Sequence, residues 1–404
     1  MKILIINYEF PPLGGGAGNA TAHLAKELAQ QGNEVVVLTS GFRGLPRKEH
    51  FNGFDIHRVP VIRLRKDRCS PWEMLTFILS ASITTLRICL TRRPDVSIAF
   101  FGIPSGVVSY LLKIFYKVPY CVSLRGGDVP GFLSNKLGMY HRLTAPITRL
   151  VWKNAGQIVA NSNRLKTLAN HFYPNIEIPI IPNGVDTDRY EPDVSNKNKD
   201  PIRILTAGRL SEQKGIVFLL KALSSLNKDG FLKEFVLNIV GDGPLRQHLE
   251  QMVCNLSLRN HVTFSGWIAK EDMPKMYQSA DIFVLPSLDE GMPNAVLEAM
   301  ASKLPVITTN ILKDDALIID GHNGFLVPSK NVSILSEKIS LLLKDTKLRT
   351  EMGQRSFQIV RSKYKWKDVS NEYYKHLISI RKNYEKEWST KTKYISVPSN
   401  RSNL

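Results

Sequence analysis

Two carboxylates eight residues apart, Glu290 and Glu298, stand in the stretch D-I-F-V-L-P-S-L-D-E-G-M-P-N-A-V-L-E-A-M-A-S-K-L-P-V-I-T that runs from Asp281 to Thr308. The apolar run Ile282 to Leu285 reads as a buried strand, and a polar turn with Ser287, Asp289, Glu290 and Gly291 follows it. Pro293 suits the first position of a helix, where a missing N–H costs nothing. Asn294 to Ser302 continues as helix and Leu304 to Thr308 returns as a strand. The helix start turns its free amides toward the loop, and such an end attracts an anion, most naturally a phosphate. An acid beside a phosphate is not there for the phosphate. A carboxylate can accept hydrogen bonds from two vicinal hydroxyls at once. The pair therefore fits a diphosphate between two polyols, one Glu on a sugar and the other on a ribose. The plainer alternative is a loop acid and a helix surface residue.

Two cations repeat the theme. Arg209 and Lys214 sit five apart in G-R-L-S-E-Q-K-G, which starts at Gly208 after the apolar strand Ile202 to Ala207. Open α/β sheets bind ligands at the carboxyl ends of their strands. Two cations there neutralise a diphosphate and stabilise it as a leaving group; the alternative is two solvated loop charges. Near the start, the strand Lys2 to Asn7 leads through Pro11-Pro12 into Leu13-Gly14-Gly15-Gly16-Ala17-Gly18 and the helix Asn19 to Gln31. A glycine loop in that place lets backbone amides approach a phosphate or sugar closely. A nicotinamide dinucleotide site wants an acid at the end of the second strand. That strand ends Val37-Leu38-Thr39-Ser40, and its acid, Glu34, is at the wrong end.

Together D-E-G-M-P-N-A-V-L-E, G-R-L-x-x-x-K-G, the G-D-G-P turn at Gly241 to Pro244 and Asn183-Gly184-Val185-Asp186 resemble glycosyltransferase family 4, over a span from Met1 to about Ile380. The resemblance implies an α/β protein of GT-B fold, two Rossmann-like domains facing across a central cleft, and transfer with retention at the anomeric carbon. It implies that Glu290 contacts donor-sugar hydroxyls and Glu298 the ribose. Arg209 and Lys214 then face the diphosphate, with Gly208, Gly291, Met292, Pro293 and Asn294 shaping the donor site, and Gly15 and Gly16 near the diphosphate and acceptor. Many family members carry His-Gly-x-Asp after a first-domain strand, the His reaching the donor sugar; here the segment reads Arg125-Gly126-Gly127-Asp128. Arg125 stays charged and cannot act as a neutral acceptor. It can hold a phosphate or an acidic sugar on the donor side. Asp128 contacts substrate hydroxyls or stabilises the turn. A Gly-Gly-x-x-Glu element common in the family is missing from Asn310 to Ile318. The rivals are a GT-B nucleotide-sugar epimerase, against which the E-x-x-x-x-x-x-x-E pair argues, and a non-catalytic sugar-binding paralogue, suggested by Arg125.

At 404 residues the chain is long enough for two cores. The expected order is a first domain over 1–190 for the acceptor, a linker at 191–201 and a nucleotide-sugar domain over 202–361. A helix at 362–382 crosses back to the first domain, and a basic, disordered tail covers 383–404. Cys69, Cys89, Cys121 and Cys254 have no paired or metal-like spacing and read as free thiols. No metal and no cofactor is expected, the nucleotide sugar being a substrate. The start Lys2-Ile-Leu-Ile-Ile turns polar at Asn7 and is not that of a leader, which suggests a cytoplasmic chain.

The net charge of +18 calls for an anionic partner. Gly41 to Ser70 holds eight Lys and Arg against three acids, and Phe100 to Asn175 nine against the single Asp128. No nucleic-acid motif or aromatic platform accompanies them, so nucleic acid is set aside. An anionic membrane surface, or a glycan or lipid-linked acceptor bearing phosphate, accounts for the charge better. Trp72 to Leu90 is nearly long and apolar enough to span a bilayer, though Glu73, Arg87 and five hydroxyl residues weaken that. A packed helix is expected, with an amphipathic, membrane-touching helix as the alternative.

Overall fold

The computed structural model describes residues 1–65, 69–192, 201–228, 235–311 and 317–395. Contacts divide the chain into two units, the first Met1–Asn161, Leu165–Ile181 and Val369–Leu404, the second Ser162–Arg164 and Pro182–Asp368. Most of the expected linker (193–200) and part of the segment expected to lack Gly-Gly-x-x-Glu (312–316) lie outside the described residues.

The first unit contains β1 (Lys2–Ile6), α1 (Gly16–Gln30), β2 (Glu34–Ser40), β3 (Lys48–Phe51), β4 (Phe54–Val59), α2 (Pro71–Arg92), β5 (Val96–Phe100), α3 (Ser105–Tyr116), β6 (Tyr120–Leu124), α4 (Ser134–Asn154), β7 (Gln157–Ala160) and most of α5 (Asn163–Phe172). Its sheet runs β3-β4-β2-β1-β5-β6-β7 and is parallel except for the antiparallel β3–β4 pair. β5 and β6 are buried at every residue, as strands covered on both faces must be.

The second unit contains α6 (Thr187–Tyr190), β8 (Ile202–Ala207), α7 (Ile216–Lys228), β9 (Phe235–Val240), α8 (Arg246–Asn255), β10 (Val262–Gly266), α9 (Met273–Gln278), β11 (Ile282–Leu285), α10 (Asn294–Ala301), β12 (Val306–Thr309), β13 (Gly324–Val327), α11 (Val332–Lys344) and α12 (Thr346–Lys363). Its sheet is parallel, in the order β10-β9-β8-β11-β12-β13. Alternate strand residues feed two cores. Ile204, Ile282, Val284 and Ile307 pack with α7, α8 and α11. Leu205, Phe283, Leu285 and Val306 pack with α6, α9 and α10. The strand period of two therefore assigns each side chain to one face.

The last helix, α13 (Trp366–Ile395), packs on the first unit. Gln31 Nε2 donates to Ser370 Oγ at 2.7 Å and to Asn371 Oδ1 at 2.9 Å. Ile380 fits against Gly156, where a Cβ would lie 2.6 Å from its Cγ2. The helix continues fourteen residues past Arg381, where the sequence suggested it would stop and fray. Lys and Glu are good helix formers, and Arg381 donates from Nε to Glu385 at 2.8 Å one turn on. Of the expected tail, 396–404 lies outside the described residues.

The expectation of a packed helix after Ser70 needs correction. A capping box sets its start: Ser70 Oγ accepts from Glu73 N, and the Glu73 carboxylate accepts from Ser70 N. Phe77, Ala81, Thr85, Ile88 and Cys89 bury one face of α2. The opposite face exposes Trp72, Leu75, Leu79, Ile83, Leu86 and Leu90, and only 28% of the most apolar window is buried. Spacings of three, four, four, three and four residues put them in one stripe. α4 exposes a shorter stripe, Met139, Leu143, Ile147 and Leu150. Isolated exposed leucines need no explanation, but continuous stripes do.

Replacing Leu79 and Ile83 together by Ser should change stability by no more than about 0.5 kcal/mol per site, as expected for exposed positions. Phe77→Ala should cost about 3–5 kcal/mol, because it empties a buried site. Denaturant melts of both variants check the assignment, and a larger loss for the Leu79/Ile83 variant than for Phe77→Ala would reverse the two faces of α2.

Candidate active site

In the second sheet the chain runs β8 to β9 to β10 in one direction, then returns to lay β11 on the other side of β8. Strand order thus reverses between β8 and β11, the place where open α/β sheets bind ligands. The loop after β8 carries Gly208, Arg209 and, on a single 3-10 turn Glu212–Lys214, Lys214. The loop after β11 carries Ser287 to Pro293.

These loops are fastened together. Leu288 N donates to Gln213 O at 2.7 Å, and Gln213 Nε2 donates to Asp289 O at 2.8 Å. Gly215 turns the first loop at φ +63°, and a Cβ there would lie 2.0 Å from Pro286 O. Only glycine serves, on both counts. Gly241, the first residue of G-D-G-P, approaches Gly208 O just as closely, 2.0 Å for a Cβ, so a third loop supports the first.

Lys214 Nζ reaches Glu290 Oε1 at 2.5 Å, and Ser287 Oγ donates to the same oxygen at 2.8 Å. Ser287 is itself fixed, its carbonyl accepting from Thr309 Oγ1 at 2.6 Å. Lys214 lies along Gly208, its Cε 3.3 Å from the Cβ position. Arg209 is half-buried on the same loop. A cation and a carboxylate are thereby held with fixed rotamers at the switch point.

Glu290, Gly291 and Met292 lead to Pro293, which caps α10 and stands one residue before its start rather than inside it. No side chain caps the helix, and its first-turn amides face the loop. Asn294 Oδ1 accepts from Asn183 Nδ2 at 2.7 Å, which places the N-G-V-D segment beside α10. Glu298, on the second turn, lies among Tyr277, Lys270, Tyr190 and Arg189. Burial raises the Glu298 carboxyl above its usual range, against the pull of these neighbours, while burial lowers the Lys270 ammonium. Glu290 and Glu298 thus flank one helix start on different sides. One meets a lysine and a hydroxyl, the other an aromatic pair with ring centroids 5.6 Å apart. The sequence placed Ser287 in the polar turn without a role of its own and did not single out Tyr190, Tyr277 or Lys270, which fall on ordinary helix or loop positions with no spacing to mark them.

The first unit gathers the remaining residues at the carboxyl ends of β1, β5 and β6. Gly15 N donates to Glu9 Oε2 at 3.3 Å, and α1 starts at Gly16 with no side-chain cap. Asp128 is a tie between loops: Oδ2 accepts from Gly102 N at 2.8 Å, and Oδ1 from Arg125 N and Gly126 N at 3.0 and 3.1 Å. Burial outweighs these amides and raises its carboxyl. The Arg125 guanidinium stacks 4.1 Å from the Phe100 ring centre and donates to Tyr373 OH at 2.9 Å. That hydroxyl also meets Ser123 Oγ at 2.7 Å. The turn-stabilising account of Asp128 thus has three bonds behind it, and the plane of Arg125 is set by Phe100 and α13.

Two family models match the chain consecutively, "Glycosyltransferase Family 4" over residues 14–189 and "Glycosyl transferases group 1" over 188–358. The chain belongs to this family of glycosyltransferases. An uncharacterised glycosyltransferase of Methanocaldococcus jannaschii is 28% identical over 389 residues, 92% of this chain and 96% of its own. Among solved structures, a sucrose-phosphate synthase from Thermosynechococcus elongatus superposes with a TM-score of 0.82 at 20% identity, covering 94% of this chain and 99% of its own. The Anabaena HepE protein in complex with UDP and glucose gives 0.75 at 19% identity, covering 94% and 100%. At these identities the likeness is one of fold, the GT-B fold expected from the motifs.

Because folding raises the Glu298 pKa, the folded chain binds its proton more tightly than the unfolded one. That difference favours folding at low pH and is lost as pH rises from the unfolded carboxyl value through the folded one. Glu298→Gln should therefore gain stability relative to the parent as pH climbs from about 4 toward neutrality. Paired denaturant melts across that range check it, and a gap that does not change with pH would contradict it.

Proposed function

We propose that this glycosyltransferase transfers a sugar from a nucleoside diphosphate sugar to a hydroxyl of a glycan or lipid-linked acceptor, with retention at the anomeric carbon. The observation that carries this is the pairing of cations with an uncapped helix start where strand order reverses. Arg209, Lys214 and the first amides of α10 offer positive charge to a diphosphate. Glu290 and Glu298 offer acceptors to hydroxyls on its two sides. The family gives the reaction type, and the fold is shared with a protein crystallised with UDP and glucose.

In this mechanism the acceptor oxygen bonds to the anomeric carbon as the bond from that carbon to the phosphate oxygen breaks. The electron pair leaves on the diphosphate, and the hydroxyl proton passes to the departing phosphate oxygen on the same face. The protein's part is to hold charge where it develops. Lys214 and Arg209 do so without a metal. Gly208, Gly291, Met292, Pro293 and Asn294 shape the donor site, and Gly15, Gly16, Arg125 and Asp128 are the first unit's share of the substrate contacts. The chain works on the cytoplasmic face of an anionic membrane, in the synthesis of cell-surface polysaccharide or glycolipid. The exposed stripes of α2 and α4, on a unit rich in Arg and Lys, support that placement.

Transfer from a panel of labelled UDP- and GDP-sugars to a membrane extract tests the reaction. Arg209→Ala and Lys214→Ala should each weaken nucleoside diphosphate binding by about 1.5–3 kcal/mol in calorimetry. Glu298→Gln should weaken binding of the free nucleotide, whereas Glu290→Gln should mainly lower turnover of the full donor. Equal effects of both Glu changes on free nucleotide would contradict the assignment of the two roles.

On vesicles, the chain should sediment with anionic bilayers more than with neutral ones, and less as salt rises. Equal binding to both would remove the membrane from the proposal.

A further inference from the structure

At the carboxyl ends of β2 and β4 an open cavity of about 350 Å³ is lined by Arg43, Arg47, Arg58 and Arg63 together with apolar Ile62 and Leu64. Four arginines line one small space, and their summed charge favours an anion there. Two are built in. Arg58 is buried, with Nη1 donating to Glu49 Oε2 at 2.7 Å and to Pro46 O at 3.2 Å. Arg63 is buried, with Nη1 donating to Tyr8 O at 2.8 Å and Nε to Arg65 O at 3.0 Å. Arg43 and Arg47 stand exposed at the rim.

The cavity is joined to two other features of the first unit. Through Tyr8 it abuts the segment after β1 that leads to Gly15 and Gly16. Through its apolar side it reaches α2: Leu64 N donates to Glu73 Oε1 at 2.7 Å, and Ile62 N to Thr76 Oγ1 at 3.3 Å. Ile62 and Leu64 are themselves exposed, and the helix to which their amides bond exposes Trp72, Leu75 and Leu79. A cationic cup thus opens onto an apolar track.

We infer that this cavity binds the phosphate of a lipid acceptor, whose hydrocarbon chain follows Ile62 and Leu64 onto α2. The inference rests on the proposed transfer reaction and narrows its acceptor to a phosphate-bearing lipid. Planar guanidinium forks match phosphate oxygens, and the exposed pair at the rim supplies donors that a glycan without charge would leave unused. Neither half of the site suffices alone. A free anion has no use for the apolar track, and a neutral lipid has none for the arginines.

The test uses the full chain and farnesyl phosphate, with farnesol and inorganic phosphate as the tail and the head alone. By calorimetry, farnesyl phosphate should bind at least about tenfold more tightly than either part. Arg43→Ala/Arg47→Ala should reduce it to about the affinity of farnesol, and Leu64→Ser/Leu75→Ser to about that of phosphate. Both pairs are at or near the surface, and circular dichroism confirms folding. Inorganic phosphate binding as tightly as farnesyl phosphate would make this a free-anion site and overturn the inference. So would undiminished binding in either double variant. UDP titrated into the same parent preparation reports on the donor site separately. Loss there condemns the transfer proposal, and loss of farnesyl phosphate alone condemns the acceptor.

Discussion

The candidate site of the second unit depends on two backbones meeting with no room between them. Gly215 lies so close to Pro286 O that a methyl group cannot be inserted. This contact fixes the loop after β8 against the loop after β11, and with it the 2.5 Å meeting of Lys214 and Glu290. An ion pair of this kind adds little net stability, because both groups lose water to form it. What it gives is position. A lysine with four rotatable bonds is held at one place before any substrate arrives, and the cost of ordering it has been met in folding. Ser287 and Thr309 extend the same logic to the carboxylate.

The first unit solves a related problem with a different group. Asp128 gathers three amides from two loops, and Arg125 is set between Phe100 and Tyr373. Tyr373 comes from α13, 248 residues along the chain. The last helix therefore contributes directly to the carboxyl end of the sheet, and losing it would release Arg125 as well as expose Ile380's site at Gly156.

Strands such as Ile282 to Leu285 were legible in the sequence because strands buried on both faces read as unbroken apolar runs; β4 was not, because its apolar residues alternate with Asp55, His57 and Arg58 in a basic stretch. The Glu290 to Glu298 helix was legible because its turn chemistry and its spacing agree, with Pro293 displaced by one residue to the cap. The faces of α2 were not. Phe77, Ala81 and Ile88 repeat with the same period as Leu75, Leu79 and Ile83, so periodicity shows two apolar faces and cannot say which one the sheet covers. The surroundings of Glu298 and Arg125 were hidden for another reason. Tyr190, Tyr277 and Tyr373 are distant in sequence, and a tyrosine on a helix carries no mark of the side chain it will meet. The length of α13 was missed because polar composition was read as fraying, while its Lys and Glu residues suit a solvated helix.

A crystal structure of the chain with UDP or GDP tests the central claim most directly. The account predicts the diphosphate against the first amides of α10, with Arg209 and Lys214 on its oxygens and Glu298 at the ribose hydroxyls. Phosphates that bind elsewhere, or that leave Lys214 paired with Glu290 alone and the α10 start empty, would contradict it.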